Sequence, residues 1–213
     1  MRKRKAAETK RRLPTRARAH ETIAVIFEAV ARILQADGLA GLNTNRIAEV
    51  AGIGIGTIYG YFENKETILL AMARRELDKA RDHVSAALMD QGSGEPDPAR
   101  RAIRALIKSY GTRGKVRRIL METLFAHGGS EEMARPVYEI AEVLRVHGSR
   151  LLPPNSPSPS TISLYILTRA VDCVVRTATY DGVKFLGSRE FEDELVRLIY
   201  GYLGPRAGGP GSR

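Results

Sequence analysis

The sequence predicts an all-α protein of about nine helices, and three observations lead to this fold class. Apolar residues recur three and four positions apart along most of the chain, which is the spacing of one face of an α-helix. No segment alternates apolar and polar residues as a β-strand does. Stretches rich in Gly, Pro and Ser, QGSGEPDP at 91–98 and LPPNSPSPS at 152–160, separate the helical patterns.

Helix boundaries are predicted from the residues that start and stop helices. Gly38 and Gly52 are expected to end the first two helices, and Thr44 is expected to cap the second. Asp97 followed by Pro98 gives a cap and a first-position proline for a later helix. The predicted helices span 18–37, 44–51, 55–62, 64–88, 98–111, 114–127, 136–151, 159–180 and 188–203.

Composition excludes several classes of protein. The single cysteine, Cys173, rules out an internal disulfide and with it a small stapled extracellular fold. No apolar run approaches the length needed to cross a bilayer. The basic N-terminus lacks the apolar core of a secretory signal. A cytoplasmic protein with no membrane partner is therefore expected.

The positive charge is concentrated in an N-terminal arm. Residues 1–20 contain nine of the 34 Lys and Arg and one of the 24 acidic residues, so the rest of the chain is nearly neutral. Such an arm suits a polyanion, because basic side chains release counterions condensed on phosphates. A solvated tail with no partner is the alternative.

The glycine-rich stretch GIGIGTIYGYFENK, residues 52–65, can be compared with several known kinds of site. A dinucleotide loop needs G-x-G-x-x-G after a strand and a phosphate loop needs a Gly-Lys-Ser/Thr ending, and neither is present. A short helix, a tight turn and a second short helix do fit, with Ile58 and Phe62 facing the core and Gly56 and Gly60 facing outward. An outward glycine face allows close approach to another surface such as the DNA major groove. The alternative is that these glycines only weaken an exposed helix.

With these residues in view, the chain is identified as similar to a known family. LNTNRIAEVAGIGIGTIYGYFENKETILLAM closely resembles the helix-turn-helix of TetR-family transcriptional repressors, and the resemblance covers residues 18 to about 75. It departs from many relatives at Gly54, where Ser is common, and at Gly60, where His or another large polar residue is common. Beyond residue 80 the similarity is only architectural.

The resemblance implies a set of DNA contacts. Thr44 and Asn45 would touch a phosphate or a base edge, and Lys65 would meet a phosphate. Arg16 and Arg18 of the basic region are also predicted to bind DNA, on the ground of their charge. The recognition helix would consist of Ile55, Gly56, Thr57, Tyr59, Gly60 and Tyr61.

The last two predicted helices are apolar on nearly all sides, which indicates burial against both their own domain and a partner. This predicts a two-fold homodimer closed by a four-helix bundle, and TetR-like proteins dimerise through their last two long helices. The predicted interface residues are Leu164, Leu167, Val171, Val175, Val196, Tyr200 and Leu203.

The resemblance also implies an effector pocket in the C-terminal body. The candidate lining is Leu106, Tyr110, Met121, Phe125, Tyr138, Tyr165 and Arg169, with plain core packing as the alternative for the apolar members. Arg169, Asp172 and Arg176 are charges in an otherwise apolar helix. They could form an ion-pair network or contact a ligand.

These features predict four segments: a disordered basic arm (1–17), a helix-turn-helix DNA-binding domain (18–65), a helical ligand-binding and dimerisation domain (66–204) and a disordered tail (205–213). The expected function is a sequence-specific transcriptional regulator, a repressor released by a small-molecule effector. Its partners would be double-stranded DNA with a palindromic operator, and a second copy of the chain.

No catalytic residue, metal ligand or cofactor is predicted, because the four histidines are scattered and none pairs at helical spacing. Two other functions stay open. One is a DNA-binding dimer without a small-molecule effector, either partnered by a protein or architectural. The other is an α-helical enzyme that carries a three-helix head.

Overall fold

A computed structural model describes residues 15–92, 94–111, 113–152 and 158–204 of the protein. Within these ranges it contains nine α-helices, one short 3-10 helix (Leu39–Gly41) and no β-strand. The chain divides between Lys65 and Glu66 into two compact units. The α-helices are α1 (Thr15–Asp37), α2 (Thr44–Ala51), α3 (Ile55–Tyr59), α4 (Lys65–Met89), α5 (Pro98–Gly111), α6 (Gly114–Ala126), α7 (Ser130–Leu151), α8 (Thr161–Asp181) and α9 (Arg189–Leu203).

The first unit is built from α1, α2 and α3, with α2 packed against both of the others. Apolar side chains of α1 such as Ile26, Val30 and Leu34 are buried, and the rings of Phe27 on α1 and Phe62 after α3 lie 6.0 Å apart between centroids. Burial of such large side chains is the main source of stability for a domain of this size. The small unit therefore has a core of its own.

Three boundaries in the first unit differ from the predicted ones. Helix α1 begins at Thr15 rather than Arg18. Asn43, and not Thr44, caps α2, because the Asn43 side-chain oxygen accepts from the N–H of Arg46 at 2.8 Å. Helix α3 ends at Tyr59 rather than at residue 62, since Gly60 forms its C-cap.

The second unit contains a layered helical core. Helix α5 packs against α8 and α9, and α7 packs against α8. One buried cluster joins Ile103 and Tyr110 of α5 to Val175 of α8 and Leu195 of α9. The central position of α5 matters for the sites described below, because it brings residues of several helices around one space.

An ion-pair cluster also ties α5 to α9. Glu192 is only 6% exposed and accepts from Arg100 at 3.2 Å and from Arg104 at 2.9 Å. The Arg104 hydrogen bond, followed by that of Arg100, lowers the pKa of Glu192 even though burial opposes this. Arg100 also donates to Asp193 at 2.5 Å, so two neighbouring acidic residues at the start of α9 are bonded to α5.

Helix α7 begins at Ser130, earlier than the predicted start at residue 136, and Pro136 lies inside it. Glu131 and Glu132 occupy its first turn, where acidic side chains stabilise the positive end of a helix dipole. An interior proline loses one backbone hydrogen bond. Ala134 and Val137 beside it are buried.

Candidate nucleic-acid interface and effector cavity

In the first unit, α2 and α3 are joined by a three-residue turn at Gly52, Ile53 and Gly54. Gly52 adopts the left-handed conformation (φ 66°, ψ 31°), and its N–H donates to the carbonyls of Ala48 and Glu49. Glycine reaches this conformation without the steric penalty that other residues incur. Gly54 caps α3 without a side-chain hydrogen bond. The result is a helix-turn-helix with the sharp reversal that the sequence predicts.

One side of this motif is exposed and carries most of the predicted DNA contacts. The Thr44 and Tyr59 hydroxyls lie 3.3 Å apart and share a hydrogen bond, which ties the start of α2 to the end of α3. Tyr59 is nevertheless 56% exposed. Asn45, Ile55, Gly56, Thr57, Gly60 and Tyr61 are also exposed, whereas Thr44 is half-buried. We call these eight residues, 44, 45, 55–57 and 59–61, the recognition face.

The two glycines of the recognition face are not needed by the backbone. Gly60 has an ordinary helical conformation (φ −68°, ψ −19°), and Gly56 lies inside α3. A methyl group placed on Gly56 would meet no neighbouring group within 4 Å, and one on Gly60 would come within 3.3 Å of the Thr57 carbonyl oxygen. Nothing in the described domain fills the space outside Gly56.

The basic side chains near this face differ in whether they already have a partner within their own domain. The Lys65 ammonium donates to the carbonyl of Leu42 at 3.3 Å and the residue is half-buried, so it has a partner within its own domain. Arg46 pairs with Glu49 at 2.8 Å, and that hydrogen bond raises the pKa of Arg46. Arg18 is exposed on the first helix. The Arg16 side chain and the rest of the basic arm lie outside the described residues.

The second unit contains a cavity of about 120 Å³ lined by α4 to α9. Its walls are mostly aliphatic, with Val84 from α4, Leu106 from α5 and Ile140 from α7 among them. An apolar cavity with a few polar groups is the usual form of a small-molecule site. The structure therefore supplies a candidate effector site wholly within this unit.

Only two of the residues predicted to line this pocket do so, Leu106 and Tyr110. Met121 is buried but does not line the cavity, and Phe125 is 66% exposed. The remaining three, Tyr138, Tyr165 and Arg169, form a separate outer cluster. The Tyr138 and Tyr165 rings lie 5.9 Å apart, and the Arg169 guanidinium stacks over both. These five side chains lie on faces that helical spacing alone could not assign to the cavity.

A polar group of three lining residues lies at the C-terminal end of α5. The Tyr110 hydroxyl donates to Asp172 at 2.6 Å, and burial, reinforced by Asp172, raises the pKa of Tyr110. Asp172 also lies 3.6 Å from Arg176, so these two of the three predicted charges do form an ion pair. The Arg117 guanidinium stacks on the Tyr110 ring, 4.5 Å from its centroid.

Arg117 was not among the residues predicted from the sequence, although a signal was present. Arg117 falls on the same helical face as Leu120, Met121 and Leu124, which are all buried. A charged residue on an apolar stripe is unusual and indicates a pairing or binding role. In the sequence, however, Arg117 and the adjacent Arg118 look like two ordinary surface arginines.

Four of the seven residues predicted to form the dimer interface are buried within their own chain. Leu164, Leu167, Val175 and Leu203 are buried, and Val196 packs against the α5 cluster. Val171 and Tyr200 line the cavity. The opposite face of α8 is the exposed one, and its apolar side chains are Ile162, Tyr165, Ile166 and Val174.

Within the described part of the chain, no three His, Cys, Asp or Glu side chains are grouped so as to hold a metal ion. None of the described helices is both long and apolar enough to cross a bilayer.

Comparison with known proteins points to one family. A family model described as bacterial regulatory proteins, tetR family, matches residues 26–72, which include α2 and α3. The HTH-type transcriptional regulator TtgR of Pseudomonas putida is 36% identical over 84 residues, which are 39% of this chain and 39% of TtgR. The matched region thus spans about two fifths of that relative's length.

Solved structures extend the likeness of fold to the second unit. A TetR family transcription regulator from Marinobacter aquaeolei VT8 aligns with a TM-score of 0.59 at 21% identity, over 90% of this chain and all of that one. The multidrug binding protein EbrR, solved with imidazole, aligns with a TM-score of 0.58 at 16% identity, over 89% of this chain and 98% of that one. The helix-turn-helix of this chain is thus similar to that of the tetR family of bacterial regulatory proteins, and its fold is similar to that of solved structures from that family.

Proposed function

We propose that this protein is a homodimeric transcriptional regulator that binds DNA through the recognition face and is a repressor released by a small molecule. The observation that carries the proposal is the recognition face itself. Exposed hydroxyls, an amide and two glycines lie together on a helix-turn-helix. Thr57 and Asn45 can hydrogen-bond to bases or phosphates, and Ile55 can contact thymine methyl groups.

The empty space outside Gly56 supports the same proposal. Space outside a helix that no neighbouring side chain fills allows the helix backbone to approach another surface closely. The major groove accepts an α-helix in this way. Since Gly60 also lacks a side chain, base contacts would be few, and phosphate contacts with the basic arm would supply much of the affinity.

Dimerisation is proposed through the outward face of α8. Leu198 and Tyr202 of α9 are exposed large hydrophobic residues as well. A contiguous exposed apolar face on a folded domain is typical of a protein contact. A two-fold dimer would present two recognition faces to a palindromic site, with half-sites about one helical turn apart.

Release by an effector is proposed because the second unit contains the apolar cavity, and EbrR, which has a similar fold, is described as a multidrug binding protein. Helix α4 begins at Lys65, the last residue of the first unit, and its residues Leu77 and Val84 line the cavity. A ligand that prefers one of two dimer conformations would shift the balance between them by its difference in affinity.

The test is selection of bound fragments from the source organism's intergenic DNA at two salt concentrations. We expect enrichment of a palindrome, with binding that weakens steeply as salt rises. The Tyr59→Ala variant should weaken binding by about 1–3 kcal/mol if Tyr59 contacts DNA. Phe125→Ala is the matched control, since Phe125 is an equally exposed aromatic residue outside the recognition face. Binding without sequence preference that is equal in both variants would refute the proposal.

A further inference from the structure

Arg117 is a buried cation whose hydrogen-bonding capacity is largely unused. It is 3% exposed, and its Nη1 donates to the carbonyl of Ser109 at 3.3 Å. Its Nε and Nη2 have no hydrogen-bond partner among the described residues, and no described carboxylate forms an ion pair with it. A buried charge left in this state is costly, so a native protein normally supplies it with a partner.

The unused nitrogens lie on one edge of the guanidinium. Nε and the nitrogen Nη2 point their N–H groups in the same direction, and two parallel N–H groups match the two oxygens of a carboxylate. Arg117 is among the residues that line the cavity, which is a space that a ligand can occupy. Stacking on Tyr110 holds the guanidinium plane in place.

The other charges in the described lining are already compensated. Asp172 accepts from Tyr110 and pairs with Arg176. Arg81 pairs with Glu139 at 2.8 Å, and it also bonds to Asp78 and Asp82 on its own helix. Arg117 therefore leaves a net positive charge at one end of an apolar cavity.

The cavity extends along α5. Residues of α5 line it from Pro98 to Tyr110, a length of about 18 Å along the helix axis. Arg117 packs at the Tyr110 end, and the remaining lining toward Pro98 is mostly aliphatic, as at Leu106 and Leu88. An aliphatic lining of that length can accommodate an extended hydrocarbon chain.

We propose that the cavity binds a straight-chain carboxylate whose head group accepts hydrogen bonds from Nε and Nη2 of Arg117 and whose aliphatic chain lies along α5. This inference rests on the proposed effector role of the cavity and names the chemical class of its ligand. The carboxylate supplies the charge that Arg117 lacks, and the chain displaces no polar partner from the aliphatic walls.

The test is direct binding to the full chain without DNA, measured by titration calorimetry. The probes are butanoate, octanoate and dodecanoate, with octan-1-ol and octylamine as ligands of equal chain length and different charge. We expect at least one carboxylate to bind, and octanoate to bind about ten to a hundredfold more tightly than octan-1-ol, as for a charged hydrogen bond. Octylamine should bind least.

Arg117→Met should remove the preference for octanoate over octan-1-ol. Arg118→Met is the matched control, because Arg118 is the adjacent arginine, is exposed and pairs with Glu122, and does not line the cavity. It should keep the preference. Should Arg117→Met fail to fold, Arg117→Lys retains the charge but not the two-pronged edge, and it should reduce the preference without abolishing it.

Three results would overturn the inference: no binding by any carboxylate of the series, equal affinity for octanoate and octan-1-ol, or a preference that survives in Arg117→Met. A separate arm adds octanoate to the protein bound to its selected DNA fragment. Direct binding without DNA release, or without any DNA binding, would leave the ligand assignment intact and refute the proposed function instead.

Discussion

Replacing Gly56 with Ala separates the stability of the first unit from its binding to DNA. A methyl group at this position meets no neighbouring group within 4 Å, so it introduces no clash. Alanine also favours the helical state over glycine by about 0.5–1 kcal/mol. For a chain of this length we expect the melting temperature to rise by roughly 1–4 °C, measured by circular dichroism.

DNA binding should change in the opposite direction. The added methyl carbon lies about 1.5 Å beyond the Cα atom, so a base edge or phosphate in contact with Gly56 must withdraw by a similar distance. Loss of one such contact is worth about 1–3 kcal/mol, or roughly five- to 150-fold in affinity, measured by fluorescence anisotropy on the selected operator. Ordinary affinity in a folded, stabilised variant would refute the role given to the glycine.

Gly52 provides the control for the stability part of this argument. Because Gly52 has φ 66°, Gly52→Ala should be destabilised by about 1–2 kcal/mol even though its Cβ also meets nothing. The two substitutions add the same methyl group to the same motif, and the expected changes in stability have opposite signs. A lower melting temperature for both variants would show that the space around Gly56 is filled in solution.

Further predictions concern the core, the exposed face of α8 and a helix cap. Glu192→Gln should cost about 3 kcal/mol in urea denaturation, since it breaks a buried pair with Arg100. Because the folded-state pKa of Glu192 is lowered, its contribution is present above its ordinary pKa of 4.5 and is lost as pH falls below it; a variant with the acid sensitivity of the wild type would contradict this. Ile166→Asp should convert dimer to monomer in sedimentation, whereas Val146→Asp, at an exposed apolar site on α7, should not. Asn43→Ala should destabilise the first unit by about 1 kcal/mol in thermal melts, through loss of the α2 cap, and an unchanged melting temperature would argue against the cap.

Local chemistry made much of the first unit predictable. Gly52 ends α2 in the left-handed conformation because few other residues can. Ile58 of α3 and Phe62, which follows α3, are both buried, as their apolar spacing predicts. The cap of α2 was harder to place. Asn43 and Thr44 are both good capping residues in consecutive positions, and only the backbone conformation decides between them.

The second unit was less predictable, because its helices are apolar on two sides. Periodicity shows that α8 has two apolar faces, and it does not tell which of them meets the rest of its own chain. Leu164 and Val175 pack inside, while Ile162 and Ile166 point outward. The cavity posed the same difficulty, since Arg117 is recognisable as part of its wall only when α5 and α6 are seen together.

The uncovered face of α8 also has a consequence for how much protein is needed. If a second copy covers Ile162 and Ile166, pairing stabilises the folded chain by mass action, and the melting temperature should rise with protein concentration. Newly made chains would remain unpaired at low abundance, more often unfolded and more open to proteolysis. The same apolar side chains would then set a threshold, below which the protein is removed faster than it can assemble on its operator.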